Sequence, residues 1–471
     1  MGECSVEPRD CGSTPALTLV EEVRTILAPF PPPRPPSVPM PRPLAVICLA
    51  AGLGKRTNVS LPKVLLPLCG RTLAASALAA VASLQPERVV VVLHHQKDKV
   101  QKSLQESCGG MFSRLEFVDQ GAPKGTGHAV QVAMQTLGDF RGDVLVTYGD
   151  CPLITATTLQ SLRELRGAAP CSVLTAYPDD PSGLGRILRD DEGRFTGIRE
   201  HKDCSEQELA IDEINAGFYC FDSEALRPAL QGLRPNNAQG ELYLTDAVGA
   251  FVGKGADVPT LEAGDAGEIT GVNTLADLAI ARSRMQERIL LQHLAAGVLI
   301  VDPTTTWIDH DVQIGADTRI LPATVIGAGC RVGRHCEVGP FAHLRAGTVL
   351  EDGAEIGNFV EAKKTHVGAG AKAKHLTYLG DATIGSKANI GAGTITANYD
   401  GVHKHQTLIG ARAFLGSGTV VVAPSEIGDG ALTGAGAVVA RGTKVPANEV
   451  WVGVPARKLK TRELPANKEK A

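Results

Sequence analysis

A glycine-rich turn with basic residues beside it is the first stretch of this sequence that could do chemistry. The apolar run that starts at Leu44 ends in the turn AGLG at 51–54, and the cationic residues Lys55, Arg56 and Lys63 follow it. A buried strand that ends in a glycine turn presents backbone N–H groups to phosphate oxygens, whose charge nearby cations neutralise. Such turns are common after strands, so this motif alone indicates phosphate binding only weakly.

A second candidate position is the acidic residue that closes the apolar run DVLVTY. This run begins at Asp143 and is followed by Gly149 and Asp150, while GTGH at 125–128 opens a helix-compatible stretch upstream. A carboxylate at a strand end can bind Mg²⁺, which keeps most of its waters and takes one or two carboxylates together with phosphate oxygens. From the spacing alone, Asp150 is explained equally well as a helix N-cap or a turn residue.

Two polar segments interrupt the small-residue C-terminal third of the chain. The first has a glutamate and two lysines at 361–364 and is followed by His375 and Tyr378; the second reads NYDG at 398–401 and HKH at 403–405. A lone histidine is more often structural than catalytic, but His375 stands beside a lysine cluster and a tyrosine. Chemistry in this part of the chain is therefore expected near these two segments.

The residues in the first half need a sheet to position them. The runs RVVVVL, LEFV and DVLVTY, which start at Arg88, Leu115 and Asp143, alternate with helix-compatible segments. This alternation is typical of an α/β fold with a doubly wound, Rossmann-like parallel sheet, in which ligands bind beyond the carboxyl ends of the strands. The glycine turn and Asp150 both fall at such ends.

The C-terminal half carries a repeat of aliphatic residues at every sixth position. The first ladder is Ile314, Ile320, Ile326, Val332, Val338, Leu344, Leu350 and Ile356, and a second runs from Ile409 to Val445. A period of six fits neither a helix nor an alternating strand, and it predicts a parallel β-helix with the aliphatic residues inside. The phase breaks at 356–367 and at 390–409, and breaks in a solenoid often mark functional loops.

Composition limits the class of protein. The 471 residues are 43% hydrophobic and 21% charged with a net charge of −4, which predicts at least two domains and no nucleic-acid or anionic membrane partner. Eleven cysteines without a C-x-x-C pair indicate reduced thiols in a cytoplasmic protein. We find no apolar run of membrane-spanning length and no signal-peptide pattern.

These observations divide the chain into five predicted segments. They are a proline-rich extension and linker at 1–43 with a helix-compatible stretch at 15–28, an α/β domain at 44–274, a linker helix at 275–300, a β-helix at 301–457 and a C-terminal tail at 458–471.

Taken together, the motifs resemble those of a known enzyme family. LAAG at 49–52 with Arg56 and Lys63 resembles the signature of sugar-phosphate nucleotidyltransferases. With Gln120, GTGHA, YGD, GRI, EHKD, EIN and GVN, and then GNFVEAKK, KHLTYLGD and NIGAGTITANYDG, the chain from about Leu44 to Arg457 is similar to one bifunctional family. Its members join N-acetylglucosamine-1-phosphate uridyltransferase to glucosamine-1-phosphate N-acetyltransferase and make UDP-N-acetylglucosamine in bacteria.

The resemblance implies fold, assembly and substrates. It implies that the β-helix is left-handed and that three chains pack side by side, with acetyl-transfer sites between the subunits. It also implies a cytoplasmic homotrimer without nucleic-acid or membrane partners that supplies cell-wall and lipopolysaccharide synthesis. The implied substrates are UTP, N-acetylglucosamine-1-phosphate, glucosamine-1-phosphate and acetyl-CoA, with Mg²⁺ as the cofactor.

For the α/β domain the resemblance implies a nucleotide site, a sugar site and a metal site. The nucleotide is held by Leu49, Ala50, Ala51, Gly52, Gln120, Gly125, Thr126, Tyr148 and Gly149; phosphates by Lys63 and Arg56; the sugar by Gly185, Glu200 and Asn215; and Mg²⁺ by Asp150 and Asn273. These residue types suit attack of a sugar-1-phosphate oxygen on the α-phosphorus of UTP, because Mg²⁺ and cations stabilise the developing charge.

For the β-helix the resemblance implies an acetyl-transfer site. Glucosamine-1-phosphate is bound by Arg345, Lys363, Tyr378 and Asn389, and acetyl-CoA by Ala392, Asn398, Tyr399, Ser417 and Ala435. His375 matches the general base, because an ammonium group cannot attack a thioester before it loses a proton and imidazole titrates near neutral pH. We expect Glu361 to orient or polarise that histidine.

Four departures from the family pattern bear on these expectations. Lys55 replaces a usual threonine, Pro123 and Lys124 disturb the approach to Gly125, and no family arginine stands at 452–453, where Arg457 is the nearest substitute. The β-helix is also shorter by about forty residues, or about two coils, between positions 302 and 345.

Two alternative functions stay open from the sequence. One is a single-activity nucleotidyltransferase whose β-helix serves only assembly. The other is a non-catalytic regulatory subunit that resembles the nucleotidyltransferase-and-hexapeptide subunits of the translation-initiation exchange factor. The intact polar motifs argue against the second, and His375 with Lys363 and Arg345 distinguishes the bifunctional enzyme from the first.

Overall fold

The computed structural model describes residues 42–52 and 54–461. The expectations for the helix-compatible stretch at 15–28, for most of the proline-rich segment and for the last ten residues lie outside the described residues. Among the residues that are described, no helix is long and apolar enough to cross a membrane.

The first half of the chain is an α/β domain. Its elements are β1 (Leu44–Leu49), β2 (Pro67–Leu68), β3 (Arg71–Thr72), α1 (Leu73–Ala82), β4 (Arg88–Leu93), α2 (Lys97–Cys108), β5 (Leu115–Asp119), α3 (Thr126–Leu137), β6 (Asp143–Tyr148), α4 (Ala156–Arg166), β7 (Cys171–Ala176), β8 (Arg186–Arg189), β9 (Phe195–Arg199), α5 (Glu206–Leu209), β10 (Ile214–Asp222), α6 (Ser223–Gln231), α7 (Leu244–Val252), β11 (Thr260–Glu262) and α8 (Leu275–Ala295).

The strands of this domain form a mixed sheet in the order β11-β7-β10-β6-β1-β4-β5. The predicted strands at 88, 115 and 143 are confirmed, and β1 pairs in parallel with both β4 and β6. The doubly wound, Rossmann-like α/β fold is confirmed, and its sheet is mixed rather than parallel throughout, because β10 runs antiparallel to β6 and β7. A strand buried on both faces reads as the same apolar run in either direction, so its polarity is not visible in the sequence.

The carboxyl ends of β1 and β6 meet at one edge of the sheet. Leu49 lies opposite Tyr148, and the backbone N–H of Gly149 donates to the Leu49 carbonyl at 2.9 Å. The glycine turn after β1 and the residues after β6 are therefore neighbours, as the α/β prediction requires.

The second half is a left-handed parallel β-helix of short strands. They are β12 (Leu299–Ile300), β13 (Trp307–Ile308), β14 (Gln313–Ile314), β15 (Arg319–Ile320), β16 (Val325–Ile326), β17 (Arg331–Val332), β18 (Glu337–Val338), β19 (His343–Arg345), β20 (Val349–Leu350), β21 (Glu355–Asn358), β22 (Glu361–Lys363), β23 (His366–Val367), β24 (Lys372–His375), β25 (Tyr378–Gly380), β26 (Ala382–Ile384), β27 (Asn389–Ile390), β28 (Ile395–Ala397), β29 (Thr407–Ile409), β30 (Phe414–Leu415), β31 (Val420–Val422), β32 (Ser425–Ile427), β33 (Leu432–Thr433), β34 (Val438–Val439), β35 (Lys444–Val445), β36 (Glu449–Val452) and β37 (Arg457–Thr461).

Every third strand stacks on the same face, which gives three sheets around one interior. In a regular coil the stacked residues are 18 positions apart, as for Ile320 and Val338, and both of these ladder residues are fully buried. The period of six therefore corresponds to one face of a triangular coil, and the aliphatic ladder fills the interior as predicted. The last strand, β37, reverses and pairs antiparallel with β36.

The breaks in the ladder have two different structural causes. Val367 stacks 17 positions after Leu350, and Ile384 stacks 17 positions after Val367, so two successive coils are each one residue short. Ile409 stacks 25 positions after Ile384, because seven extra residues leave the coil between β28 and β29. The first predicted break thus contains one shortened corner, between Ala362 and Val367, and the second predicted break is an inserted loop at 398–406. The other shortened corner, between Leu379 and Ile384, lies outside both predicted breaks.

Candidate active sites

A cavity of about 290 Å³ opens at the carboxyl ends of β1 and β6. Ten of the residues that line it were predicted, namely Leu49, Ala50, Ala51, Gly52, Lys63, Gln120, Gly125, Thr126, Tyr148 and Asp150. Its other lining residues are Val64, Pro123, Ala129 and Glu241, which sequence reasoning did not select as site residues. One cavity therefore gathers most of the predicted nucleotide site.

The wall formed by Gly125 depends on its lack of a side chain. Its φ is +99°, and a Cβ at this position would lie 2.6 Å from the Leu242 carbonyl oxygen. That same carbonyl accepts from the Gly127 N–H at 2.8 Å, and the Leu242 N–H donates to the Lys124 carbonyl at 2.8 Å. The Pro123–Lys124 departure is thus accommodated by a loop that is hydrogen-bonded on both sides of Gly125.

We expect Gly125→Ala to lower uridylyl transfer by about tenfold or more, because the new Cβ would displace a wall of the cavity by a fraction of an ångström to about 1 Å. Steady-state rates with UTP and N-acetylglucosamine-1-phosphate would measure this loss. The matched control is Gly193→Ala, which has φ +78° and no heavy atom within 4 Å of the new Cβ. Equal losses in the two variants would show that backbone strain alone, and not the cavity wall, is responsible.

Three side chains from distant parts of the sequence converge on one cationic centre. The Lys63 ammonium donates to Asp150 Oδ2 at 2.5 Å and to Asn273 Oδ1 at 3.0 Å, and Lys63 is only 8% exposed. A single positive group thus contacts both oxygens that were predicted to bind Mg²⁺. A carboxylate and a carboxamide oxygen held this closely are the hard donors that Mg²⁺ accepts together with water and phosphate oxygens.

The backbone of Asn273 is held by the start of α8. The N–H groups of Asn273 and Thr274 both donate to Asp277 Oδ2, at 2.9 and 2.8 Å. Burial opposes ionisation of Asp277, but these backbone donors and the charge of Arg56 lower its pKa overall. Sequence reasoning missed Asp277, although Thr274 and Asp277 have the spacing of a helix capping box.

The three predicted sugar residues lie together on one side of the same domain. The Asn215 N–H donates to the Gly185 carbonyl at 2.8 Å, and a Cβ on Gly185 would lie 3.5 Å from Glu200 Oε2. Glu200 accepts from the Thr245 hydroxyl at 3.1 Å, and burial raises the pKa of Glu200. These neighbouring polar groups could bind sugar hydroxyl and amide groups.

On the β-helix, stacked coils place the predicted phosphate-binding side chains in one column. Arg345 and Lys363 are direct neighbours across β19 and β22, and Glu361 is the neighbour of Tyr378 across β22 and β25. The ammonium of Lys404 on the inserted loop lowers the pKa of Lys363, with smaller effects from desolvation and Arg345. Two stacked cations, Arg345 and Lys363, could together bind an anion, and Lys404 was not selected as a site residue from the sequence.

The imidazole of His375 is oriented by a residue of the preceding coil. Its Nδ1 lies 2.8 Å from Asn358 Oδ1. A carboxamide oxygen only accepts hydrogen bonds, so Nδ1 carries the proton and Nε2 is the nitrogen that can take one up. Glu361 was expected to orient His375, but it accepts from Arg345 Nη1 at 2.7 Å, so this expectation is wrong and Asn358 has the role instead.

A groove of about 530 Å³ runs from His375 along the next coils. Its lining includes Asn389, Ala392, Ser417 and Ala435, with Phe414 and Leu432 as apolar floor. Asn398 and Tyr399 lie apart from the groove of their own chain. Asn398 is buried and donates to Asp381, and Tyr399 is 60% exposed.

The inserted loop is organised around Asp400. Its carboxylate accepts from the backbone N–H groups of His403 and Val402 and from His405 Nε2, which lies 2.6 Å away. These contacts, the His403 N–H first, lower the pKa of Asp400. The loop is therefore an ordered part of the site, and it presents Tyr399 and Lys404 to the surface.

The remaining departures are at Lys55 and near Arg457. The side chain of Lys55 lies outside the described part of the chain. Arg457 is exposed at the start of β37 and donates to the Ala456 carbonyl at 3.0 Å. Among the described residues there is no group of three or more His, Cys, Asp or Glu side chains that could bind a metal ion. The pair predicted for Mg²⁺, Asp150 and Asn273, instead offers one carboxylate and one carboxamide oxygen.

Comparisons with known proteins match both halves of the chain. Residues 46–243 match the family described as MobA-like NTP transferase domain. The protein named "Bifunctional protein GlmU" of Corynebacterium diphtheriae is 41% identical over 434 residues, which covers 85% of this chain and 90% of the relative. Its namesake in Trichlorobacter lovleyi is 44% identical over 431 residues, with 84% and 93% covered, and that of Mycobacterium sp. (strain KMS) is 41% identical over 443 residues, with 87% and 89% covered.

Proposed function

The chain belongs to the family of bifunctional GlmU proteins, and on that basis we propose how its two sites share the synthesis of UDP-N-acetylglucosamine. The protein is a bifunctional enzyme. It transfers acetyl from acetyl-CoA to glucosamine-1-phosphate, and then uridylyl from UTP to N-acetylglucosamine-1-phosphate with release of pyrophosphate. The product is the activated sugar of cell-wall biosynthesis.

The observation that carries the assignment is the orientation of His375 beside the cation column. Asn358 orients the imidazole so that Nε2 can take a proton, and the stacked pair of Arg345 and Lys363 on the neighbouring face could bind the phosphate. A β-helix that served only assembly would need neither feature. This supports the bifunctional enzyme over the single-activity alternative.

In uridylyl transfer the α/β cavity would bind UTP. Leu49, Ala50, Ala51, Gly52, Gln120, Gly125, Thr126, Tyr148 and Gly149 would surround the nucleotide. Gly185, Glu200 and Asn215 would hold the sugar so that its phosphate oxygen faces the α-phosphorus in line with the pyrophosphate leaving group. Lys63, after release from Asp150 and Asn273, would neutralise the phosphates together with Arg56.

Asp150 and Asn273 would hold Mg²⁺ in place of the Lys63 ammonium that they now contact. When bound, the ion supplies charge neutralisation at the phosphates. Lys63 is then free to move towards the triphosphate, so one cation would replace another between the same two oxygens. The convergence of both oxygens on one positive group supports this assignment.

In acetyl transfer Arg345, Lys363, Tyr378 and Asn389 would bind glucosamine-1-phosphate. His375 Nε2 would take a proton from the sugar ammonium, and the freed amine would attack the thioester carbon. As the C–S bond breaks, the second proton of the attacking nitrogen passes to the departing thiolate, which leaves as the thiol and gives the neutral amide, and His375 returns the first proton to solvent. Ala392, Ser417 and Ala435 would position the coenzyme along the groove.

We further propose a cytoplasmic homotrimer that acts without nucleic acid or a membrane, with the domain boundaries given above. Asn398 and exposed Tyr399 lie outside the groove of their own chain. Packing of three β-helices side by side would place them against a neighbouring groove, where both would contact acetyl-CoA. Their position supports the assembly, as the net charge of −4 supports the absence of nucleic acid.

The acetyl half-reaction alone tests the proposal. Purified full-length protein is given acetyl-CoA and glucosamine-1-phosphate without UTP, and release of free coenzyme thiol is followed with a thiol reagent. We expect thiol release that depends on glucosamine-1-phosphate. Uridylyl transfer without any such release would instead establish the single-activity nucleotidyltransferase.

A further inference from the structure

The β2–β3 hairpin of the α/β domain packs against the first coils of the β-helix. The contact is so close that the residue at the tip of the hairpin has no space for a side chain. Gly70 has φ +84°, and a Cβ there would lie 2.8 Å from the Ala328 Cβ and 3.0 Å from the Asp309 Cβ. The position therefore needs glycine both for its backbone conformation and for the close approach. Any side chain at the tip would push the hairpin away from the β-helix.

Hydrogen bonds and an ion pair fix the same contact. The His310 N–H donates to the Cys69 carbonyl at 2.9 Å, and Arg71 Nη2 donates to Asp311 Oδ1 at 2.6 Å. The hairpin thus meets three consecutive residues, 309–311, of one β-helix corner. Its strands follow directly from the short 3₁₀ turn Lys63–Leu65, so the corner is linked to Lys63 by a few ordered residues.

Helix α8 reaches the same corner from Asn273. Gln286 on this helix is buried, and its side chain bonds both backbone polar groups of one residue: Nε2 donates to the Ile308 carbonyl at 2.6 Å and Oε1 accepts from the Ile308 N–H at 3.0 Å. Asn273 immediately precedes the N-cap of this helix. The corner is therefore also linked to the second Mg²⁺ candidate.

A shared hydrophobic core supports both links. Leu66 and Leu68 of the hairpin segment and Val272, next to Asn273, belong to the same buried cluster as Ile308 and Ile320 of the β-helix. Close-packed interiors transmit small displacements because they have few voids to absorb them. A shift of the corner would thus move the segments that carry Lys63 and Asn273.

We propose that the β-helix segment 307–311, which comprises β13 and the corner 309–311 that follows it, is a positioning element of the uridylyl-transfer site. It receives the two elements that start at Lys63 and Asn273, and so sets the spacing of these side chains around Asp150. Gly70 and Gln286 are the positioning residues, and neither contacts substrate. The inference rests on the roles proposed above for Lys63, Asp150 and Asn273. According to this inference, uridylyl transfer depends on the contact between the β-helix and the hairpin. Acetyl transfer does not depend on that contact.

Two variants of the full-length protein test this dependence. Gly70→Ala inserts a methyl group against the corner, and Gln286→Leu removes both hydrogen bonds to Ile308. In each we expect the kcat of uridylyl transfer to fall by about tenfold or more, because displacements of about 1 Å at a reacting centre have effects of this size. We also expect a higher Mg²⁺ concentration for half-maximal rate, with acetyl transfer within about twofold of wild type. Gly255→Ala, with φ +78° and no heavy atom within 4 Å of the new Cβ, is the matched control that should change neither reaction.

The inference is overturned if folded Gly70→Ala has wild-type uridylyl transfer and Mg²⁺ dependence, or if both half-reactions fall in parallel, as general destabilisation would produce. If Gly70→Ala and Gln286→Leu do not fold, Arg71→Ala removes only the partly exposed pair with Asp311. An unchanged Mg²⁺ requirement in that variant would also overturn the inference, and an increase would support it. Wild-type protein without any uridylyl transfer would instead refute the proposed function.

Discussion

Replacing His375 with alanine is expected to lower acetyl transfer to glucosamine-1-phosphate by about 10²- to 10⁴-fold, which is the usual contribution of a positioned acid–base group. The imidazole is oriented by Asn358 at 2.8 Å, so its loss removes the proton acceptor but no part of the β-helix interior. Uridylyl transfer should stay unchanged. Coenzyme release and UDP-N-acetylglucosamine formation, measured on one preparation, give both rates.

The matched control for this variant is His366→Ala. His366 is an exposed histidine on β23, on another face of the β-helix, and its ring lies 2.7 Å from Glu351. We expect it to keep full acetyl transfer. An equal loss in the two histidine variants would mean that His375 is not the general base, as would a His375→Ala enzyme that acetylates at the wild-type rate.

Replacing Asp150 with alanine is expected to lower uridylyl transfer and to leave acetyl transfer unchanged. We expect the uridylyl rate to fall by at least about a hundredfold, which is the usual effect of losing one preorganised group that stabilises charge in the transition state. The change removes one of the two oxygens proposed for Mg²⁺ and also leaves the buried Lys63 ammonium without its carboxylate. Uncompensated buried charge is unfavourable, so some loss of stability in the α/β domain should accompany the loss of rate.

Asp191→Ala, in an exposed turn of the same domain, is the control for Asp150→Ala. Both variants would be assayed over a range of Mg²⁺ concentrations. We expect full acetyl transfer in each and an uridylyl defect only in Asp150→Ala, which excess Mg²⁺ does not repair. A full recovery at high Mg²⁺ would contradict the proposal that Asp150 is required to hold the ion.

Elements with a strong local signal could be predicted from the sequence. β1, β4 and β6 are continuous apolar runs, and the β-helix has a period that no other common structure shares. The direction of β10 could not be predicted, because a strand's pairing partner depends on the chain path and not on its own composition. The shortened corner between Leu379 and Ile384 was not predicted for a related reason, since a single missing residue leaves little trace in the pattern.

In the two sites, too, individual residues could be selected from the sequence, but most contacts between distant residues could not. Lys63 is separated from Asp150 by 87 positions and from Asn273 by 210, so no spacing rule could bring the three together; the family resemblance selected all three but did not show their contact. Asn358 could have been found, because it precedes His375 by 17 residues, which is one short coil. The expectation for Glu361 did not foresee that its carboxylate accepts a hydrogen bond from the Arg345 side chain.

The two halves of the chain are in direct contact. The first coils of the β-helix contact the β2–β3 hairpin and α8, and they share one buried cluster with residues of the α/β domain.

The most direct test of the account supplies wild-type enzyme with glucosamine-1-phosphate, UTP labelled at the α-phosphorus, acetyl-labelled acetyl-CoA and Mg²⁺ in one reaction. We predict UDP-N-acetylglucosamine that carries both labels in equal amounts, and no doubly labelled product when either labelled co-substrate is omitted. Label from UTP in a sugar nucleotide that never acquires the acetyl label would contradict two activities on one chain.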